Sequence, residues 1–567
     1  MKRIVLLFLF FSLKIVSQEP TVHWGGNIGG TSYDSSQAAN IDANGNLFLT
    51  GGFGYISDFD FGTGTYTMTA NGQSAGYLAK YNTNGQLQWG KKYTGNYFTF
   101  GFGVDFDGTG NVYAMGTFNA SVDFDPGPAV YTMTAPSSPY VYSDIYLTKL
   151  DNNGNFVFAK QITGQGVKDP TAFKVDTNGN MYVTGYFNNV TQFSSTVSLT
   201  PSNGVANTNI YDIFVAKYTS TGNLSWVKQI GNGSISQRTE EMVLDANGNI
   251  YLCGQFHGIT DFDPSPTGTF TLTPSAASGM DFFILKLDNN GNFAWAKSMG
   301  GPNGNFVRSM QRDASGNLYL TGTFTGTCDF DPSVSINSLT TPQNSGSNPF
   351  LLKLSPDGDF IWVKHLLGNG YGNTLAINNG KISVAGVFYN TCDFSCGAGT
   401  AIKTTAGNGD AFMAEFNNDG TFNWVKCFGG SQDDEAMDVL SDTSGNYFLF
   451  GDFNGTANIH SSIGNLSLTA NGSQDAFIIK MGPELSTTSF STTNFSLYPN
   501  PSENELHLTI PDGYSDGILY IYSTNGKLIK KAAVTAILNI ESLSVGTYFL
   551  TITNSADKSI TQKFIKK

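Results

Sequence analysis

Arginine is almost missing: Arg3, Arg238, Arg308 and Arg312 are the whole complement of the 567-residue chain. Charged residues are only 13% and the formal net charge is −14. Nucleic-acid backbones need clustered Lys and Arg, so that class of partner is excluded. Histidine is scattered at 23, 257, 365, 460 and 507, and no His or acid–base cluster of the kind catalysis requires comes together. An enzyme is therefore not expected. The five Cys are too few and too unevenly spaced for a disulfide framework, and an odd number leaves at least one thiol free. Cys392 and Cys396 are close enough in sequence to bond, with buried packing thiols as the alternative. No helical period lasts more than a few residues after the opening segment.

What is plentiful is a repeat. Asp245-Ala-Asn-Gly-Asn249 leads into Ile250 to Phe256, and the phrase recurs at Asp42–Phe53, Asp107–Phe118, Asp176–Phe187, Asp313–Phe324 and Asp442–Phe453, with a weaker copy at Asn378–Phe388. The glycine two before the closing Phe falls at 51, 116, 185, 254, 322, 386 and 451, spacings of 65, 69, 69, 68, 64 and 65. A second landmark places an aromatic residue at Trp89, Phe158, Trp226, Trp295, Trp362 and Trp424, each with a Lys two residues later. Alternating apolar and polar side chains between Asp-x-x-Gly and Asn-x-x-Gly turns read as four antiparallel strands per unit, one propeller blade. The Lys-bearing strand belongs at the rim, where Lys guards an open edge. The strand before Asp-x-x-Gly belongs at the central channel.

The seventh unit ends at Lys480 and Met481 without an aromatic-x-Lys strand, whereas Trp24 precedes Trp89 by 65 residues. The expected fold is therefore all-β: a seven-bladed β-propeller over 18–484, closed by an N-terminal strand around Val22–Trp24, plus a small C-terminal β-sandwich at 495–567. Met1-Lys-Arg3 and the apolar run after it form a signal peptide over 1–17, cleaved between Ser17 and Gln18. That run is too short to be a transmembrane segment. Residues 485–494 are a Ser/Thr-rich linker.

Two resemblances rest on these residues. Asp433 to Asp442, Ser444-Gly-Asn446 and Asp475 to Lys480 resemble the SBBP-type bacterial β-propeller repeat over roughly Val22 to Met481, which implies a fold and an extracellular setting. Tyr498-Pro499-Asn500-Pro501, Gly546-Thr-Tyr548 and the basic Lys566-Lys567 resemble the type A C-terminal sorting domain of the type IX secretion system. That implies the secretion machinery and its sortase as partners, passage through the periplasm to the outer-membrane surface or beyond, and attachment to surface lipopolysaccharide as a frequent fate.

Chemistry-bearing candidates are few. Gly72-Gln-Ser-Ala-Gly76 has nucleophile-elbow spacing but precedes a strand rather than a helix. Asp58 and Asp60, Asp123 and Asp125, Asp261 and Asp263, and Asp329 and Asp331 set two carboxylates on one face of an extended segment, a candidate calcium arrangement whose alternative is turn capping. No other cofactor is indicated. Departures from the repeat in the inner strands point to the channel or its mouth: Lys168, Asp169, Arg238, Glu240, Arg308, Asp434 and Glu435. The function these features favour is binding or adhesion, toward an unknown extracellular glycan or protein ligand. The alternative is a secreted hydrolase or lyase acting on polymers at the same mouth.

Overall fold

A computed structural model describes residues 19–567 except 63, 137–141, 203–209, 232–235, 277–278, 344–345, 462–463, 484–494, 512, 525–526 and 555–558. The signal peptide 1–17, its Ser17–Gln18 cleavage point and the linker 485–494 lie outside the described residues. The chain divides into two compact units, Met1–Pro483 and Glu484–Lys567. The described residues contain strands, turns and no helix.

In the first unit the chain begins with β1 (Thr21–Gly30) and then builds a module from β2 (Asp34–Ile41), β3 (Leu47–Phe53), β4 (Ile56–Asp58), β5 (Thr67–Thr69), β6 (Ala75–Tyr81) and β7 (Leu87–Lys92). Strands β2, β3, β6 and β7 form an antiparallel sheet in that order, and β4 pairs with β5 as a separate hairpin. The β2–β3 turn shows why the Asp-x-x-Gly phrase repeats. Asp42 Oδ1 accepts the backbone N–H groups of Asn44 and Asn46 at 2.8 and 2.9 Å, and Gly45 adopts φ 78°, where a side chain is strained.

The same four-strand order recurs from inner strands Thr99–Phe106, Lys168–Val175, Gln237–Leu244, Asn305–Arg312, Gly370–Asn378 and Asp434–Ser441, giving seven modules. Each inner strand packs on the next, and Asp434–Ser441 packs back on β2. This is a β-propeller-type repeat. The fourth strand of the seventh module is β1, antiparallel to Asp475–Gly482 with Gly25 opposite Ile479 and Asn27 opposite Phe477.

Adjacent modules are also joined through the hairpin equivalent to β4–β5. The outer strand of each module runs on to pair with the hairpin of the next: β1 with β4, Thr94–Gly95 with Val122 and Asp123, Gly164 with Thr191, Gly231 with Asp261, Gly300 with Asp329 and Leu367 with Asp393, Gly429 with Asn458. Glycine is required at these crossings: a Cβ on Gly30, Gly164, Gly301 or Gly430 would run into a carbonyl oxygen of the neighbouring hairpin.

The outer-strand aromatics add a second joint. Trp89, Phe158, Trp226 and Trp295 each lie against the turn glycine of the following module, Gly154, Gly222, Gly291 and Gly358. Trp24 does the same to Gly85 and contacts Phe61 and Phe448 at 6.3 and 6.4 Å between ring centroids. On the other face of β1, Val22 packs with the cluster that holds Phe477 and Ile479. All five Cys are free thiols, so the Cys392–Cys396 bond is absent.

The second unit has a three-stranded sheet of Leu497–Tyr498, Glu505–Leu508 and Ile537–Asn539, and a four-stranded sheet of Leu528–Ala533, Ile518–Ser523, Gly546–Thr553 and Ser559–Lys566. Leu506, Leu519, Ile521, Leu550 and Phe564 share one core with both sheets, a sandwich built from the alternation along each strand.

If β1 is an ordinary seventh-module strand, Trp24→Ala should cost as much as the internal Trp89→Ala, about 2–4 kcal/mol for half-buried aromatics. Denaturant unfolding measures both. A silent Trp24→Ala beside a costly Trp89→Ala would show that the end of the chain merely lies on the surface.

Candidate functional site

One backbone irregularity is shared by all seven inner strands. Gln37, Phe102, Thr171, Glu240, Arg308, Asn373 and Met437 are extra residues without a partner on the second strand, each a β-bulge beside the repeat glycine. The bulge swings the carbonyl of the residue two places earlier into the space a Cβ would fill at Gly51, Gly116, Gly185, Gly254, Gly322, Gly386 or Gly451. The repeat glycine therefore permits the bulge. The bulge re-aims side chains, so the residues at the bulge and two before it depart freely from the repeat.

The seven bulged positions form one ring, and Ser35, Phe100, Asp169, Arg238, Phe306, Tyr371 and Glu435 form a second. Contacts link the two rings. Arg238 Nε donates to Glu240 at 2.8 Å, Asn373 Nδ2 donates to Glu435 Oε1 at 2.7 Å, Arg308 lies 5.2 Å from the Tyr371 ring centre, and the Phe100 and Phe102 ring centres are 5.4 Å apart. A cavity of about 430 Å³ is lined by residues from all seven inner strands. A second, of about 740 Å³, opens among Asp169, Tyr186, Tyr211, Arg238, His257 and Phe306 of the third to fifth modules.

Five of the seven inner-strand candidates, Asp169, Arg238, Glu240, Arg308 and Glu435, occupy these rings. Lys168 and Asp434 do not, which corrects the expectation for both. They stand one residue earlier than the outer ring, and strand alternation turns them to the opposite face. Lys168 is buried in an ion pair with Asp144 at 2.9 Å and donates to the Gly164 carbonyl at 2.8 Å. Asp434 is buried and accepts the Gly430 N–H at 2.7 Å. The aromatic residues Phe100, Phe102, Tyr211, Phe306 and Tyr371 were not anticipated. Their signal was an apolar ring at a position that is polar in other repeats.

Deeper in the cavity Lys174 meets Glu241 at 3.6 Å, and Glu241, Asp105 and Asp438 hold the ammonium in its charged form. Thr374 donates to Asp438 at 3.0 Å. Burial pushes Asp438 up to about 6. At the seam between seventh and first modules burial raises Asp452 to about 7 and Asp34 to about 6, and at the seam between sixth and seventh modules it raises Asp434 to about 7. The turn acids behave oppositely: hydrogen bonds from Asn249 and Asn247 outweigh burial and hold Asp245 below the usual carboxylate range.

Each Asp-Phe-Asp pair caps its own turn. Asp58 Oδ1 accepts the N–H groups of Asp60 and Tyr66 at 3.0 and 2.8 Å. Asp60 Oδ1 in turn accepts the Gly62 N–H at 2.8 Å. Asp123 Oδ1 accepts from Asp125 and Tyr131 at 3.1 and 2.8 Å. Asp125 does the same, its Oδ1 accepting the Gly127 N–H at 2.7 Å. Asp261 Oδ1 accepts from Asp263 and Phe270 at 3.1 and 2.8 Å, and Asp263 Oδ1 from Ser265 at 2.9 Å. Asp329 Oδ1 accepts from Asp331 and Asn337 at 3.1 and 2.9 Å, and Asp331 Oδ1 from Ser333 at 2.9 Å. The physical reason is common to all four pairs. The second carboxylate caps the turn two residues on, so one oxygen of every acid is committed to the backbone. Among the described residues no group of three or more His, Cys, Asp or Glu is arranged to hold a metal ion. Ser74 directly precedes β6 and no helix follows it.

In the second unit the Tyr-Pro-Asn-Pro segment is tied to the last strand. Asn500 Nδ2 donates to the Lys563 carbonyl at 3.0 Å, its Oδ1 accepts the Ile565 N–H at 2.9 Å, and Lys567 N donates to the Ser502 carbonyl at 2.9 Å. Pro499 and Pro501 follow cis peptide bonds. Tyr498 stays exposed and stacks on His507. Gly546 pairs with Lys566 and Tyr548 with Phe564, so the three motifs meet at one end of the sandwich. Lys567 is exposed, whereas Lys566 is buried with Nζ on the Lys567 carbonyl.

Residues 496–567 match the secretion system C-terminal sorting domain. The chain is thus type IX cargo, secreted or carried at the outer-membrane surface. An uncharacterized WD repeat-containing protein of Acanthamoeba polyphaga mimivirus is 22% identical over 519 residues, 78% of this chain and 37% of the relative. The chain thus spans little more than a third of that relative's length. A Bacteroides caccae protein of unknown function aligns with a TM-score of 0.29 at 8% identity over 62% of this chain and 89% of its own. The extracellular domain of a hybrid two-component system from B. thetaiotaomicron aligns with a TM-score of 0.17 at 11% identity over 95% and 99%.

The raised carboxylates predict a pH effect. An acid whose folded pKa lies above its unfolded value stabilises the fold below the unfolded pKa, and that stability is lost as pH rises through the folded value. Asp34, Asp434, Asp438 and Asp452 should therefore make the melting temperature fall between pH 5.5 and 8, while the lowered turn acids remain charged throughout. His365, lowered to about 4 by burial, opposes the trend as one group against four. Asp434→Asn should raise the melting temperature at pH 8 and flatten the profile. An unchanged profile would contradict the assignment.

Proposed function

We propose that the seven modules are the blades of one seven-bladed β-propeller closed by β1, of the SBBP type. Its mouth binds an extracellular glycan or protein ligand after export. The sortase of the type IX system then removes the tail, with release or lipopolysaccharide attachment as the end point. The observation that carries the binding reading is the pair of rings around the bulges. The framework repeats, but these positions do not, and they hold aromatic, cationic and acidic side chains side by side. Loops and irregular positions on a rigid scaffold are where recognition is built, and function resides in such sites rather than in the fold. Binding is favoured over turnover because the described His residues do not converge on one another, and the one that lines a cavity, His257, stands there alone. His257 contacts the Gly279 carbonyl and His365 the Asn348 side chain, His23 contacts the Pro483 carbonyl, and His507 stacks on Tyr498.

The test is a screen of glycan and peptide arrays with the full secreted chain. Replacing Phe102 and Arg308 together by Ala should weaken the captured ligand at least about tenfold while the melting curve is kept. Binding indifferent to both substitutions would remove the site from the mouth. Turnover of a glycan that disappears in Glu240→Gln would make the protein an enzyme instead.

A further inference from the structure

The 740 Å³ pocket among the third, fourth and fifth modules has a definite chemistry. Its volume lies in the ~300–1,000 Å³ range of small-molecule sites. Tyr186 and Tyr211 meet edge to face, with ring centres 5.2 Å apart, and Phe306 and Met280 supply further apolar surface. Between these walls stand one anion and one cation. Asp169 receives the Tyr186 hydroxyl on Oδ2 at 3.1 Å, which leaves Oδ1 as an acceptor. Arg238 uses Nε toward Glu240 and toward Gln255 Oε1 at 2.8 and 3.2 Å. Its side chain is half exposed, so the terminal N–H groups face the pocket and solvent.

Charge decides what this arrangement accepts. An anionic ligand would meet Asp169, and a cationic one would meet Arg238, each at a desolvation cost the partner charge does not offset. A neutral molecule that both donates and accepts, and that has an apolar face, satisfies every group at once. Adjacent hydroxyls can donate to Asp169 and accept from Arg238, while ring C–H groups lie on the aromatic surface. A saccharide has those properties; an apolar peptide side chain would leave Asp169 and Arg238 facing it unpaired.

We propose that this pocket binds a neutral sugar residue of an extracellular glycan, an inference that rests on the mouth being the binding face. The probe is an array of neutral oligosaccharides (glucans, mannans, galactans and xylans) printed beside polyanionic glycans and peptides, with the full secreted chain as analyte. Capture of a neutral glycan is expected, weakened at least about tenfold by Arg238→Ala and by Asp169→Asn. Phe98→Ala, in the second module, should leave it within twofold. Melting curves confirm that each variant folds, and Phe306→Ala serves where Arg238→Ala does not. Capture of only polyanions or peptides, or of a neutral glycan weakened by Phe102 and Arg308 changes but not by Asp169→Asn, overturns the sugar pocket and keeps the mouth as a binding face. Capture of nothing, or capture that no mouth substitution alters, overturns both.

Discussion

The first unit depends on hydrogen bonds that join each module to the next, and on one strand that makes the joining cyclic. A single four-stranded sheet has two edges and little core of its own, and repeats gain stability from their neighbours. Here each outer strand leaves its own sheet and pairs with the neighbouring hairpin. Without β1, Asp475–Gly482 would present an unpaired edge and β4 would lose its partner. Two joints would open at once, although only ten residues are involved. The seam closed this way also carries Asp34 and Asp452, acids that burial drives toward neutrality, so closure and protonation are coupled.

A uniform framework then supports a non-uniform surface. The bulge and its glycine recur seven times because the backbone geometry is the same in every module. The side chain lifted out by the bulge answers to no neighbour in the sheet, so Gln37, Phe102, Thr171, Glu240, Arg308, Asn373 and Met437 differ in size and charge. The rings they form are rigidly placed, which lowers the ordering cost of recognition. In the second unit the same economy appears in the Tyr498–Pro501 segment, which Asn500 fastens to the last strand while Tyr498 remains exposed.

Much of this was legible in the residues, for reasons that can be named. Asp42 and Gly45 show in sequence because a tight turn admits few alternatives. Trp24 stands in phase with Trp89 because both meet the same turn glycine of a following module. The hairpin joints were harder to read. Gly95, Gly164 and Gly231 look like loop residues until the neighbouring chain is seen to cross them. Lys168 and Asp434 were misplaced because a period of two makes adjacent residues diverge, and which of them faces the channel depends on where the bulge falls. Phe100 and Tyr371 were overlooked because aromatic side chains in a strand look like core. In an Asp-Phe-Asp pair the cap itself becomes visible only with the backbone N–H groups in place: that of Gly62 on Asp60, that of Gly127 on Asp125 and that of Ser265 on Asp263.

Hydrogen exchange of backbone amides tests cyclic closure most directly, because it reads local opening strand by strand. If β1 is a full member of the seventh module, its amides paired with Asp475–Gly482 exchange at the rate of the corresponding amides in Leu87–Lys92 and Leu224–Ile230, through the same global opening. Rapid exchange throughout Thr21–Gly30, beside well-protected outer strands in the other modules, would contradict closure.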